Sequence, residues 1–245
     1  FLGWAMNFTL ERTISMTRDQ VRQRFDRYLG DVGLKKDTRQ LVVLDLEHPI
    51  HPKNFHTLEP AVLAKVSAAF RMRIEVARER LPQALLALYG VVNADSRGLY
   101  NEEFNKRWET LKRLGAEGLF DGLDYLVPVI YQRWGPSDRY FDTVEAMVRQ
   151  GVEASAKITD SRGKPIPLAP INSFNIFNSN SKHERELVPI EVNRKTLQIL
   201  RGYGSIDAVI FWTGSDDFPS SEGGAPADIK TYLRELDPVR ELNGR

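Results

Sequence analysis

The chain has 245 residues, of which 42% are hydrophobic and 27% are charged, as expected for a globular protein with a sizeable core. Its 34 Lys and Arg residues nearly cancel its 33 Asp and Glu residues, and the net charge of +1 excludes the strong basic excess that is typical of nucleic-acid-binding proteins. The lack of cysteine excludes disulfides, thiolate metal sites and a cysteine nucleophile, and no apolar run approaches the ~18 residues that a membrane span needs.

Six short apolar runs, each followed by turn residues, predict the strands of a parallel sheet that is buried on both faces. In chain order they are Leu2–Phe8, Gln40–Leu46, Ala84–Val92, Tyr125–Tyr131, Ile166–Ser173 and Ala208–Trp212. The first run has no basic flank and no small-residue cleavage site, so it differs from a signal peptide. We interpret it as a strand whose beginning is cut off, and we expect the sequence to start inside the domain.

Amphipathic stretches with recognisable ends predict helices between and after these strands. The first runs from the N-cap Thr17 to Leu29, and the second opens at Thr57 and Pro60 and runs to Leu81. The third is Tyr100–Leu114, and the fourth runs from a cap at Ser137 or Asp138 to Val152. The last two are Pro189–Leu200 and Asp228–Leu236. Gly115 is expected to end the third of these helices.

Alternating strands and helices favour parallel strands joined by crossover helices, and hence a doubly wound sheet or a barrel. No glycine-rich phosphate-binding element follows any of the strands, which counts against a nucleotide-binding doubly wound fold. We therefore predict an α/β fold, a distorted (β/α) TIM-like barrel in which a first strand could be missing. Because no linker or repeat divides the chain, we predict one catalytic domain over residues 1–245.

The second predicted strand delivers two carboxylates at its end. Because side chains alternate along a strand, Asp45 and Glu47 share a face, with their backbones about 6.6 Å apart. Ionised carboxylates so placed repel each other, which raises the pKa of one of them and suits it to act as a general acid towards a glycosidic oxygen. The alternative is that both residues begin a loop, where they cap the next helix or pair with Lys53.

Other predicted strands end in aromatic and hydrogen-bonding residues, which matter because the active sites of (β/α) barrels lie at the carboxyl ends of their strands. The candidate residues are Tyr89, Tyr131, Arg133, Asn172, Trp212 and Asp216. Aromatic rings beside hydrogen-bonding groups suit a sugar, whose C–H face stacks and whose hydroxyls need partners. The alternative for Tyr131 and Trp212 is that they are core aromatics of a packed barrel.

Three of the four histidines follow Glu47 closely. They are His48, His51 and His56. Together with Asp45 they could form a zinc or hard-metal shell. Their spacing matches no common ligand pair on a helix or strand, however, and Pro49 and Pro52 place them in a loop. We therefore expect neither a metal nor another cofactor, and a metal-dependent barrel hydrolase is kept as an alternative.

Three segments follow one another in a distinctive order and spacing. They are Asp45-Leu46-Glu47, Leu126–Trp134 and Ile206–Asp217, of which the second and third are the most specific. In these segments the chain resembles the hyaluronidases, the animal and venom enzymes of glycoside hydrolase family 56. The resemblance extends from Leu41 to Leu236, and Leu2–Leu29 is similar to the strand–helix unit that precedes the family's D-x-E strand. We expect a divergent, bacterial relative.

The resemblance implies a distorted (β/α) barrel that cleaves a polysaccharide with retention and with assistance from the substrate, whose acetamido group attacks the anomeric carbon. Glu47 would then be the general acid and base, and Asp45 the carboxylate that orients and stabilises the acetamido group. Tyr131 would help to hold this group. Trp212 would form the floor of the subsite, and Tyr89 would match the tyrosine at the end of the third strand.

Several positions depart from the family's pattern. Leu46 stands between the carboxylates, where the family usually has an aromatic residue, and the end of the third strand is reduced to Tyr89-Gly90-Val91-Val92. Ile171-Asn172-Ser173-Phe174 replaces a segment with several aromatics, and the family's disulfides are absent. The acid and base pair is thus retained, whereas the lining of the subsite has changed.

We predict a retaining endo-glycosidase for a polysaccharide that contains N-acetylhexosamine and that could carry uronate or sulfate groups, with no nucleic-acid or membrane partner. Arg133, Lys53 and Arg97 are candidate partners for such anions, or else solvated surface residues, and the small net charge is compatible with a local basic groove. An enzyme that degrades a polymer is expected in a secreted or periplasmic setting. A non-catalytic carbohydrate-binding barrel is the remaining alternative.

Overall fold

The computed structural model describes residues 2–3, 9–46, 50–93, 101–131, 140–175, 186–212 and 227–238. Its six strands are β1 (Leu2–Gly3), β2 (Leu41–Asp45), β3 (Leu85–Asn93), β4 (Tyr125–Val129), β5 (Ile171–Ser173) and β6 (Ile210–Trp212). They are hydrogen-bonded in chain order, and β1 with β2, β2 with β3, β4 with β5 and β5 with β6 are parallel. Each strand coincides with a predicted run, although positions 4–8 of the first run lie outside the described residues.

The fifth strand is much shorter than the run Ile166–Ser173 predicts. Pro167 and Pro170 have no amide hydrogen to donate, so the regular ladder is confined to Ile171–Ser173. The preceding chain still runs beside β4, because the amide of Leu126 donates to the carbonyl oxygen of Pro167 at 3.0 Å.

The helices are α1 (Leu10–Ser15), α2 (Arg18–Asp31), α3 (Pro60–Arg80), α4 (Glu102–Ala116), α5 (Tyr140–Ser155), α6 (Ile190–Arg201) and α7 (Ala227–Leu236). Thr17 caps α2 as predicted, because its hydroxyl accepts from the amide of Gln20 while the Gln20 side chain accepts from the amide of Thr17. The predicted caps at positions 137 and 138 lie outside the described residues. None of the helices within the described ranges is long and apolar enough to cross a membrane.

Two helical segments have no counterpart in the prediction. One is α1, whose six residues are too few to show a helical period. The other is a 3-10 helix over Pro52–Thr57, in the segment for which a loop is predicted. The side chain of His51 caps it and Pro52 occupies its first turn, so the proline begins a helix there instead of excluding one.

The prediction that Gly115 ends α4 is wrong. The helix continues to Ala116, and Gly115 is buried within it. A Cβ atom at this position would lie 2.6 Å from the carbonyl oxygen of Thr159, so the glycine is needed for a close approach of two chain segments. The glycine that follows the end of the helix is Gly118, directly after the C-cap Glu117. Its backbone is left-handed, at φ +86°, as is common for the residue that ends a helix.

The described contacts divide the chain into two compact units. The first unit comprises Phe1–Val92, Asn101–Val127 and Ala154–Leu168, and the second comprises Asn93–Tyr100, Pro128–Glu153 and Ala169–Arg245. Buried apolar side chains of α3 and β3, including Val66, Phe70, Ile74, Leu86 and Leu88, belong to the core of the first unit. A cluster of Phe174, Leu197, Tyr232 and Leu236 belongs to the core of the second. The single domain over residues 1–245 stays a prediction.

A buried arginine fixes α1 to α3. Arg73 is only 6% exposed, and its guanidinium donates to the carbonyl oxygens of Ala69 at 2.8 Å and of Thr13 at 3.2 Å. Burial lowers the pKa of Arg73 to about 10, so the side chain is still protonated at neutral pH. The contact sets α1 beside the second half of α3.

Candidate active site

Asp45 ends β2 and lies level with Tyr89 of β3. The two strands pair with Leu44 opposite Leu88, and the next step in the same register sets Asp45 opposite Tyr89. Opposite residues of neighbouring strands share a face, with backbones about 4.8 Å apart. Leu44 and Leu88 are buried, whereas Asp45 and Tyr89 are half-buried. The carboxylate and the tyrosine therefore lie side by side at the carboxyl end of β2, whereas β3 continues past Tyr89 to Asn93, so the prediction that Tyr89 closes the third strand is wrong.

The surroundings of Asp45 agree with the alternation predicted for its strand. On the other side of Asp45 the register places Gly3, which has no side chain. Leu46 is buried at 4% exposure, so the residue that replaces the expected aromatic is a core residue. Glu47 lies outside the described residues, and its pairing with Asp45 stays a prediction.

Two of the clustered histidines take part in local hydrogen bonds of the 3-10 helix. Nδ1 of His51 accepts from the amide of Lys53 at 3.1 Å, and Nδ1–H of His56 donates to the carbonyl oxygen of Lys53 at 3.0 Å. The ring of His51 also lies near Tyr89, with the centroids 6.5 Å apart. Among the described residues, no three His, Asp or Glu side chains gather into a metal site, and His48 is not one of these residues.

In the second unit, the aromatic strand ends stack on each other. The register that pairs Val129 with Ile171 continues to Tyr131 opposite Ser173, and Ser173 pairs with Trp212. The rings of Tyr131 and Trp212 have centroids 5.5 Å apart and planes 15° apart. Because one strand separates them, their backbones are about 9.6 Å apart. The small Ser173 leaves room for the two rings to meet.

The stacked pair lies on the face of the strands opposite to α6 and α7. Phe211, the neighbour of Trp212, packs against the apolar cluster of Phe174, Leu197, Tyr232 and Leu236, which α6 and α7 help to form. Since side chains alternate along a strand, Trp212 faces the other way. Tyr131 is buried at 4% exposure, which agrees with the alternative that it is a core aromatic. Trp212 is only half-buried.

Asn172 faces the helices, and its side chain is fully buried. Its amide nitrogen donates to Oδ1 of Asn193 in α6 at 2.7 Å. Asn193 in turn donates to the hydroxyl of Tyr232 at 2.8 Å, and this hydroxyl donates to the carbonyl oxygen of Val188 at 2.7 Å. These bonds join β5 to α6 and α7. The substrate contact predicted for Asn172 is untested and stays a prediction.

Sequence reasoning overlooked Asn193 and Tyr232. A signal for Asn193 exists, because this amide stands on the apolar side of α6 among buried residues. Those residues are Val192, Thr196, Leu197 and Leu200. A buried amide needs hydrogen-bond partners, so a polar network at this helix could have been inferred. The partners themselves depend on how β5 and α7 pack against α6.

The remaining predicted residues are placed as follows. Lys53 is half-buried in the 3-10 helix. Arg133, Asp216 and Arg97 lie outside the described residues, so their contacts with substrate stay predictions.

Parallel β/α units of this kind define an α/β fold of the distorted TIM-barrel class. Two solved structures of bee venom hyaluronidase are similar to it, each at 15% sequence identity and each over 94% of this chain. The structure from a monoclinic crystal form matches this chain with a TM-score of 0.65, and the match covers 80% of the hyaluronidase chain. The complex with a hyaluronic acid tetramer has a TM-score of 0.68 and is covered over 78%.

The structural likeness confirms the predicted fold class. At 15% identity it shows a fold that hyaluronidases, which are glycoside hydrolases, also have. No family model matches the chain, and no curated protein matches it in sequence. The bacterial source stays a prediction.

Proposed function

We propose that the chain is a retaining endo-glycoside hydrolase that cleaves a polysaccharide containing N-acetylhexosamine. The observation that carries the proposal is the position of Asp45, a half-buried carboxylate level with Tyr89 at the carboxyl end of a barrel strand. The fold supports it, because bee venom hyaluronidase has a similar fold and was crystallised with a hyaluronic acid tetramer.

The proposed chemistry needs two carboxylates with different tasks. Glu47 donates a proton to the glycosidic oxygen as the bond from this oxygen to the anomeric carbon breaks. The acetamido oxygen of the substrate forms the new bond to that carbon, and Asp45 orients the acetamido group and stabilises the positive charge that develops on it. A water molecule then attacks the anomeric carbon and gives its proton to Glu47, while the bond from this carbon to the acetamido oxygen breaks and the acetamido group is restored. Two displacements at one carbon retain its configuration.

Tyr131 and Trp212 are proposed to hold the sugar. A half-buried indole on the strand face opposite to the helices offers a flat apolar surface, which suits the C–H face of a pyranose ring. The ring of Tyr131 stacks against Trp212 and limits its movement. In the proposal the Tyr131 hydroxyl donates to the acetamido group, and Tyr89 binds sugar beside Asp45.

The test is the release of reducing ends from hyaluronan, chondroitin, chitin oligomers and sulfated polysaccharides that lack acetamido groups. Turnover of an N-acetylated polymer, with the retained anomer formed first in proton NMR spectra, is the expected result. Turnover only of polymers without acetamido groups would remove substrate assistance from the proposal. Saturable binding without turnover would favour the carbohydrate-binding barrel.

A chelator separates this proposal from the metal-dependent alternative. The proposed chemistry needs no metal ion, so activity is expected to be unchanged by EDTA. Loss of activity that added zinc or manganese restores would instead support the metal-dependent hydrolase.

A further inference from the structure

Ser173 of β5 lies between the two stacked aromatic residues of the second unit. The strand register places Tyr131, two residues beyond β4, on one side of it and Trp212 of β6 on the other. The three side chains share a face, because residues that are level on neighbouring strands point the same way. Ser173 is only 1% exposed, so solvent hardly reaches the strand between the two rings.

The hydroxyl of Ser173 is engaged by the backbone. It donates to the carbonyl oxygen of Asn175 at 2.6 Å. A serine hydroxyl has one hydrogen, so Ser173 has none left to donate to a ligand. Its contribution to the space between the rings is therefore its small size.

The stack needs a small residue at this place. The backbones that carry the two rings are about 9.6 Å apart, whereas the ring centroids are 5.5 Å apart. Tyr131 and Trp212 therefore lean towards each other across Ser173. Carbon atoms pack at about 3.5–4.0 Å, so Ser173→Val would place two methyl groups against the rings and push them apart.

The residues next to Trp212 explain why the stack also orients the indole. Phe211 packs against Phe174 on the face with the helices, with ring centroids 5.1 Å apart. The amide of Phe174 donates to the carbonyl oxygen of Trp212 at 3.1 Å. With its backbone held in this way, the indole moves by rotation of its side chain, and the ring of Tyr131 limits this rotation. Trp212 is half-buried, so part of the oriented ring is exposed to a ligand.

We propose that Ser173 is a positioning residue of the sugar subsite. Its small side chain allows Tyr131 to stack on Trp212, and the stack sets the orientation of the indole that binds the sugar. The inference rests on the proposed function, in which Trp212 is the floor of this subsite. The size of residue 173 therefore determines how well the C–H face of a sugar ring is bound.

The first test compares Ser173→Val with Ala169→Val, a matched control in the buried chain just before β5. Both changes put a valine into a crowded interior, so both should lower the thermal midpoint. Only Ser173→Val is expected to change the near-ultraviolet circular dichroism of Trp212, which the difference between the wild type and Trp212→Phe identifies. This measurement needs no substrate.

The second test is calorimetric binding of hyaluronan and chitin oligosaccharides in a Glu47→Gln background, which keeps the sugar intact. Ser173→Val should raise Kd about three- to tenfold, the contribution of one aromatic pair. Ala169→Val should keep the Kd of its background, and Ser173→Ala, which keeps the residue small, should raise Kd less than Ser173→Val. In a Tyr131→Leu background, which has no stack, Ser173→Val should add no further weakening.

An unchanged dichroism signal and an unchanged Kd in Ser173→Val would overturn the inference. An equal rise of Kd in Ala169→Val, or with and without Tyr131→Leu, would also overturn it, because crowding alone would then explain the loss. A changed signal with an unchanged Kd would show that the stack does not orient the sugar. The failure of the proposed function has a different result. If no oligosaccharide binds to any variant, the part of Ser173 in sugar binding is overturned, while the dichroism signal still shows whether Ser173 positions the stack.

Discussion

Polar residues near the strand ends of the two units have different surroundings. Asp45 is half-buried and level with Tyr89, whereas Asn172 is fully buried and bonded to Asn193 of a helix. Both residues look alike in the sequence, as polar groups near the end of an apolar run. The face of the strand on which such a residue stands therefore decides whether it can contact a ligand or is buried against a helix. Phe211 and Trp212 show the same rule, since adjacent residues face the helices and the opposite side.

The largest effect is expected at Asp45. Asp45→Asn keeps the shape but removes the charge that stabilises the acetamido group, so kcat should fall by about 10²- to 10³-fold. Steady-state release of reducing ends measures this, with the thermal midpoint close to that of the wild type. The matched control is Asp37→Asn, an exposed aspartate in the turn before β2. Wild-type turnover in Asp45→Asn would mean that this strand end is not part of the chemistry.

A stability effect is expected at the other strand end. Asn193→Ala removes the acceptor of the buried Asn172 amide nitrogen and the donor to the Tyr232 hydroxyl, so the free energy of unfolding should fall by about 1–3 kcal/mol. Denaturant unfolding measures this, and Asn105→Ala, on the exposed face of α4, is the control. An unchanged free energy of unfolding combined with a loss of kcat would show that this network serves catalysis directly and that Asn172 is not a purely structural residue.

A smaller effect on substrate binding is expected at Trp212. Trp212→Ala removes the proposed floor of the sugar subsite, and KM should rise about tenfold, since an aromatic contact of this kind contributes roughly 1–2 kcal/mol. The control is Trp108→Ala on α4, where the ammonium groups of Lys112 and Lys157 each lie 5.0 Å from the centre of the indole ring. If Trp212→Ala lowers only stability and leaves KM unchanged, the core alternative for this residue is correct.

The positions of the strands could be predicted because their apolar runs are bounded by turn residues. The same holds for the start of α2, where Thr17 and Gln20 are both needed for the capping box and both visible in the sequence. The 3-10 helix could not be predicted, since it depends on a hydrogen bond from a backbone amide to the ring of His51. The role of Gly115 inside α4 could not be predicted either, because it depends on the close approach of the Thr159 carbonyl oxygen.

The candidate site was predictable as a set of residue types but not as a geometry. The stacking of Tyr131 on Trp212 requires the register of three strands that are far apart in sequence, and no local pattern contains it. The orientation of Asn172 depends on the phase of its strand, and a shift of one residue reverses the face. The position of Asp45 could be predicted, because the apolar residues Leu41–Leu44 directly before it mark the strand that it ends.

The most direct measurement is the initial rate of reducing-end release from hyaluronan by the wild type, Glu47→Gln and Glu59→Gln. Glu59 is an exposed glutamate whose side chain makes no capping hydrogen bond, so it controls for the substitution itself. Glu47→Gln should lower kcat by about 10²- to 10⁴-fold at an unchanged thermal midpoint, while Glu59→Gln keeps the wild-type rate. Wild-type turnover in Glu47→Gln would contradict the acid and base pair on which the proposed function depends.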